Sequence, residues 1–101
     1  MDRNIEQAFV VRYLASRGGE VESGNFDFCY AEEGNAEEAM LRDADETLRQ
    51  WSMLPEYAPH KVSLARGEPN DDGHHEFCEV KADNGDFYRW WVDKLPLMPG
   101  E

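Results

Sequence analysis

Apolar and polar positions change rhythm several times along this chain, and each change marks an element. The stretch "QAFVVRYLASRGG" carries apolar residues on all sides of a helical wheel, with a Val-Val pair inside it. That pattern fits a strand buried on at least one face better than an amphipathic helix, because β-branched neighbours pack well on a pleated surface. The Gly18-Gly19 pair that follows would also suit a helix C-terminus, so a helix is the alternative for this segment. In "NFDFCYAEE", Phe26, Phe28 and Tyr30 alternate with Asp27 and Cys29, which predicts the second strand of a hairpin.

The period then lengthens to that of a helix. Ala36, Ala39, Met40, Ala44, Thr47, Leu48, Trp51 and Leu54 recur at the spacing of one helical face. Asn35 can cap this helix, Glu38 completes a capping-box-like pattern three residues on, and Pro55 stops it. Beyond Pro55 the strand rhythm returns in "KVSLAR", "HHEFCEVKA" and "FYRWWVDKL". Between the last two, Asn84-Gly85 predicts a two-residue type I′ turn. The order is β-β-α-β-β-β, an α+β arrangement in one domain spanning residues 1–101. An antiparallel sheet of about five strands, covered on one face by a single helix, is the economical packing.

The neighbouring tryptophans Trp90 and Trp91 must then point to opposite faces of the last strand. Trp90 falls in phase with Tyr88 and Val92, and this set is expected under the helix. Trp91 falls in phase with Phe87, Arg89 and Asp93, on the face that one helix leaves uncovered. There it would anchor a partner or a homodimer. The plainer alternative is a half-exposed ring lying under the Arg89 or Lys81 side chain.

Charge changes the picture next. The chain has 10 Lys plus Arg against 22 Asp plus Glu, a formal net charge of −12. A small domain needs a net charge of only about 2–8 for colloidal stability, so the excess calls for a reason such as a basic partner. Direct binding of nucleic acid and of anionic membranes is disfavoured by sign. No apolar run approaches transmembrane length, and "MDRNIEQAF" lacks the order of a signal peptide, so the expected compartment is cytoplasmic. On the helix, Glu38 precedes Arg42 by four and Asp45 precedes Arg49 by four, so its outer face can neutralise itself. Two other stretches have no Lys or Arg at all: residues 18–35, with Glu20, Glu22, Asp27, Glu32 and Glu33, and residues 67–79, with Glu68, Asp71, Asp72, Glu76 and Glu79. Read as acidic loops, they supply the expected partner-binding residues: Glu20, Glu22, Glu32, Glu33, Glu68, Asp71, Asp72 and Glu76, with Trp91 as the aromatic anchor. The alternative is that acidic loops only keep the protein in solution.

Catalytic chemistry finds little support. Cys29, Cys78, His60, His74 and His75 are the soft ligands, but neither C-x-x-C nor H-x-x-x-H spacing occurs, and no cofactor is expected. The cysteines are expected as reduced thiols, with a disulfide as the lesser alternative. "EPNDDGHHE" lacks the ligand spacing and closing Glu of a calcium loop. Carboxylates are too abundant for their pairing to signal acid-base catalysis.

In size, acidity and absence of catalytic motifs, the whole chain resembles small inhibitor proteins of phages and mobile elements, of the anti-CRISPR and anti-restriction type. That resemblance implies a non-catalytic inhibitor of a basic, nucleic-acid-binding protein, in some cases a DNA mimic. The sequence leaves two other classes open. One is a metal-binding or redox module built on Cys29, Cys78 and the histidines, and the other is a structural subunit docking through its open sheet face.

Overall fold

The computed structural model describes residues 7–96. Five strands and one long helix follow the expected order: β1 (Gln7–Arg17), β2 (Glu20–Tyr30), α1 (Glu33–Met53), β3 (Val62–Arg66), β4 (Phe77–Ala82) and β5 (Phe87–Pro96), with a 3-10 turn at Pro55–Tyr57 after the helix. All neighbours in the sheet are antiparallel and the spatial order is β2-β1-β5-β4-β3. The two longest inner strands, β1 and β5, pair over ten residues from Gln7–Pro96 to Ser16–Phe87. The fold is therefore α+β, with one open sheet and a helix on one face.

The first segment is a strand, and its two glycines make a hairpin. Gly18 and Gly19 both have positive φ (58° and 87°) between the paired residues Arg17 and Glu20. This is the two-residue loop whose twist matches that of its strands. Consequently β2 begins at Glu20, and Glu20 and Glu22 lie in a strand instead of a loop. The Asn84-Gly85 turn departs from expectation. Only Gly85 has positive φ (101°), the Gly85 N–H donates to Ala82 O, and the Ala82 N–H donates to Asp86 O. That is a type I turn closed by a left-handed glycine, the wider hairpin form. The Asn84 side chain selects it by accepting the Asp86 N–H at 2.9 Å.

The helix starts earlier than the capping pattern suggests. Glu32 occupies the cap position without a side-chain hydrogen bond, and its carbonyl accepts from Asn35 and Ala36, so Asn35 lies inside the first turn. The buried face is Ala36, Met40, Ala44, Thr47 and Trp51. Small residues at 36 and 44 let α1 approach the sheet, where Val11, Cys78, Val80 and Trp90 are fully buried. Trp90 stacks on Tyr88 with ring centroids 4.3 Å apart, and its indole N–H donates to Asp43 of the helix at 2.8 Å. The hydrogen bond satisfies the one polar atom of this ring in the core.

Alternation fails at one place. The β1–β2 register shifts between Val10 and Arg12, so Phe26–Phe28 face a single residue of β1. Phe26 and Tyr30 still pack against the core, but Phe28 is thrown outward and is 70% exposed.

Candidate interaction surface

Seven carboxylates of the described residues already meet a basic side chain, five of them an arginine and two a histidine ring. Asp93 meets Arg12, Glu56 meets Arg17, Glu38 meets Arg42, Asp83 meets His60, Asp45 meets Arg66, Glu37 meets His74 and Glu79 meets Arg89. The Asp45 pairing replaces the expected one with Arg49. None of the eight acids expected to bind a partner has an ion pair among the described residues. Their negative charge is not balanced by a cation among the described residues, although Glu33 and Glu76 accept hydrogen bonds from Asn70.

Six of the eight gather at one end of the molecule. The β3–β4 loop, residues 67–76, folds back on the first turn of α1, and Asn70 ties the two together. Its Nδ2 donates to Glu33 at 2.9 Å and to Glu76 at 2.7 Å, while its Oδ1 accepts the N–H groups of Asp72 and His74 at 3.0 Å each. Glu37, one turn into the helix, adds a second tie. One of its oxygens accepts the His75 N–H at 2.6 Å and the other accepts His74 Nδ1 at 2.9 Å. His75 in turn donates from Nδ1 to Gly67 O at 2.6 Å. Glu32, Glu33, Glu68, Asp71, Asp72 and Glu76 are thereby held around one clamp. Asn70 was not singled out by sequence reasoning; the signal for it was the Asx-turn potential of "PNDDG".

The clamp perturbs its own titration. Burial pushes the Glu37 carboxyl up, but the His75 N–H and the His74 ring outweigh it and hold the group below its ordinary value. The same hydrogen bond, donated by the His74 ring to Glu37, raises His74 against a smaller opposing effect of desolvation, with Glu33 and Asp72 adding to the rise.

Glu20 and Glu22 stand apart. They pair with Arg17 and Ala15 near the β1–β2 turn, beyond the far end of α1. A helix of 21 residues is about 31 Å long, so they do not share a surface with the clamp. At their end, Arg17 lies over the Trp51 and Tyr57 rings at 5.2 and 5.6 Å and donates to the Tyr57 hydroxyl at 3.0 Å. That hydroxyl donates to Asp86 at 2.9 Å, and Asp86 also accepts the Gly18 N–H. Burial, followed by the hydrogen bond to Asp86, raises the Tyr57 hydroxyl despite the opposing Arg17.

Trp91 lies on the uncovered face, as alternation requires, in register with Phe77 and Arg12. It is half-buried, and the large apolar residues that stand out most are Val21, Phe28 and Met53. Arg89 reaches over Phe77 and Phe87 at 5.9 and 5.3 Å while paired with the buried Glu79, so Arg89 covers the two phenylalanines beside Trp91. Trp91 is adjacent to the acidic end, since the Val92 N–H donates to Glu76 O at 2.8 Å.

The cysteines do not meet. Cys29 is exposed on the edge strand, and Cys78 is sealed under the helix with its thiol pushed up to about 12 by burial. Strands β2 and β4 are separated by β1 and β5, a distance of at least about 14 Å, far beyond disulfide reach. His74 and His75 precede β4 and are engaged as above, and no group of three His, Cys, Asp or Glu among the described residues is placed to hold a metal ion. No helix among those residues is long and apolar enough to cross a membrane. Comparison of the chain with protein-family models, with curated proteins and with solved structures gave no match.

Proposed function

We propose that this protein is a non-catalytic inhibitor that engages the nucleic-acid-binding groove of a basic protein, in the manner of the anti-CRISPR and anti-restriction proteins it resembles. The observation that carries this reading is the division of its acids. Five are paired with arginines and two meet histidine rings within the fold, while six without an ion pair among the described residues are grouped around the Asn70 clamp. The clamp holds the Glu33 and Glu76 carboxylates directly and fixes the backbone that carries the other four, which lowers the entropic cost of presenting their charge on association. Trp91 borders that end and supplies the aromatic contact. Two unpaired thiols suit an encounter in the cytoplasm.

The test is inhibition of a panel of restriction and RNA-guided nucleases, with duplex DNA as competitor. At least one member is inhibited by the wild type, with an on-rate that falls as salt rises. The informative variant replaces Glu32, Glu68, Asp71 and Asp72 by Lys, because these side chains make no hydrogen bond among the described residues and the clamp survives. It should keep its circular dichroism and associate at least about ten-fold more slowly. Equal inhibition by this variant would remove the acidic end from the contact.

A further inference from the structure

Strand β2 is the outer edge of the sheet and is 11 residues long, whereas the opposite edge strand, β3, has five. Open edges invite a further strand, and proteins usually shorten or disguise them. In β2 the disguise is confined to one half, where the register shift at Phe26–Phe28 spoils the ladder. From Glu20 to Asn25 the pairing with β1 is unbroken. A two-residue hairpin closes with hydrogen bonds between the residues flanking its turn, here Arg17 and Glu20, so alternate residues beyond turn their backbone groups outward. Those residues are Val21, Ser23 and Asn25. All three are exposed, Val21 at 69%.

The side chains on this half-strand define what could add to it. Glu20 and Glu22 project on the helix side, beyond the end of α1, and line a groove of about 760 Å³ with Ala15, Arg17, Tyr57 and Tyr88. Arg17 is held by Tyr57 and Glu56, which leaves the two glutamates unmatched among the described residues. The strand contains Glu20, Glu22 and Asp27 and no Lys or Arg. A second copy pairing through the same edge would bring six carboxylates into one ladder without a cation, which disfavours self-pairing. A strand with basic side chains on one face and apolar ones on the other matches both sides. Its cations would meet Glu20 and Glu22 across the new ladder, and its apolar residues would lie beside Val21.

We propose that β2 is a docking edge on which an extended Lys- or Arg-containing segment of the partner adds as a sixth strand along Glu20–Asn25. This rests on the reading of the partner as basic, and it assigns a role to the two acids that lie away from the clamp. The probe is the blocked hexapeptide Lys-Val-Lys-Val-Lys-Val, titrated into the isotope-labelled protein, with Glu-Val-Glu-Val-Glu-Val as control. Amide exchange at Val21, Ser23 and Asn25 should slow at least ten-fold with the basic peptide and not with the acidic one. Ser23→Pro deletes one outward N–H and should abolish the protection. The double variant Glu20→Lys, Glu22→Lys should weaken binding at least ten-fold. Absence of protection in the wild type would overturn the proposal, leaving the acids as guards of the edge. So would protection that appears without peptide as protein concentration rises, which would make a second copy the occupant. Unprotected β2 amides with intact nuclease inhibition would refute the docking edge alone. Protected amides with no nuclease inhibited would refute the inhibitor reading alone.

Discussion

The two ends of this molecule carry similar acidity and handle it in opposite ways. At the β1–β2 turn, Glu56 and Asp86 belong to a network in which Arg17 and the Tyr57 hydroxyl are also members. Tyr57 stacks on Trp51 at 4.6 Å, and both rings are buried, so charge there is joined to the core. At the other end Asn70 and Glu37 hold a loop against a helix start through hydrogen bonds among exposed and part-buried groups. Charge tied to a core cannot be altered without altering stability. Charge tied by a single amide can, which makes the clamp end the region where an interaction surface can change independently of the fold.

Substitutions can break that contrast, and the largest effect belongs to the turn end. Trp51→Ala should cost about 3–5 kcal/mol, the usual scale for a large aromatic removed from a core, and should release Arg17 as well. Chemical denaturation measures this directly, and a loss under 1 kcal/mol would mean the aromatic stack is not part of the core. Tyr57→Phe keeps the stack and removes only the hydroxyl between Arg17 and Asp86. It should cost about 1–3 kcal/mol, because the partners lose a part-buried hydrogen-bond link. If Tyr57→Phe is neutral, the network is surface decoration and the two ends are alike.

At the clamp, Asn70→Ala should cost about 1 kcal/mol or less globally, since its partners are largely exposed and can turn to water. Its effect should be local: amide exchange in residues 67–76 should accelerate while that of β1 and β5 stays unchanged. Uniform acceleration throughout the sheet would show that the clamp supports the whole fold.

The smallest effect is that of pH. His74 is raised from its ordinary 6.5, so its contribution is complete below that value and is lost as pH rises through the higher folded value. Glu37 is lowered from 4.5, so its contribution is complete above 4.5 and is lost as pH falls through the lower folded value. The loop should therefore be most protected between about pH 4.5 and 6.5 and should loosen at alkaline pH. His74→Gln should abolish the alkaline part of this profile, as followed by exchange of the loop amides. A profile identical to wild type would assign the pH response to another group.

Much of the fold was legible because it depends on local periods. Alternation separated Trp90 from Trp91, and Trp90 is indeed the one under the helix. The boundaries were less so. Asn35 looked like a cap, but the Glu32 carbonyl can open the helix without a side-chain bond, and the capping motif had no means of competing with that. Asn84-Gly85 looked like a I′ turn. The bond from the Asp86 N–H to the Asn84 side chain made a type I turn with a left-handed glycine the better solution. The interaction surface was harder still. Eight acids could be named, but which of them are neighbours depends on the chain reversing at Gly18-Gly19 and on a 21-residue helix carrying it back. Asn70, a loop residue, has no periodic signature, and the alternation of Phe28 with Phe26 and Tyr30 pointed it inward until a register shift displaced it.

The two cysteines give this protein a built-in clock. Cys29 stands exposed on the edge strand, where a thiol reagent reaches it at once, while Cys78 has no exposed surface and its thiol is raised to about 12. One sulfur therefore reports the reagent and the other reports only moments when α1 lifts from the sheet. In a single labelling time course, the fast phase calibrates the chemistry and the slow phase counts openings of the native state. No dye, tag or mutation is needed to read how often this core breathes.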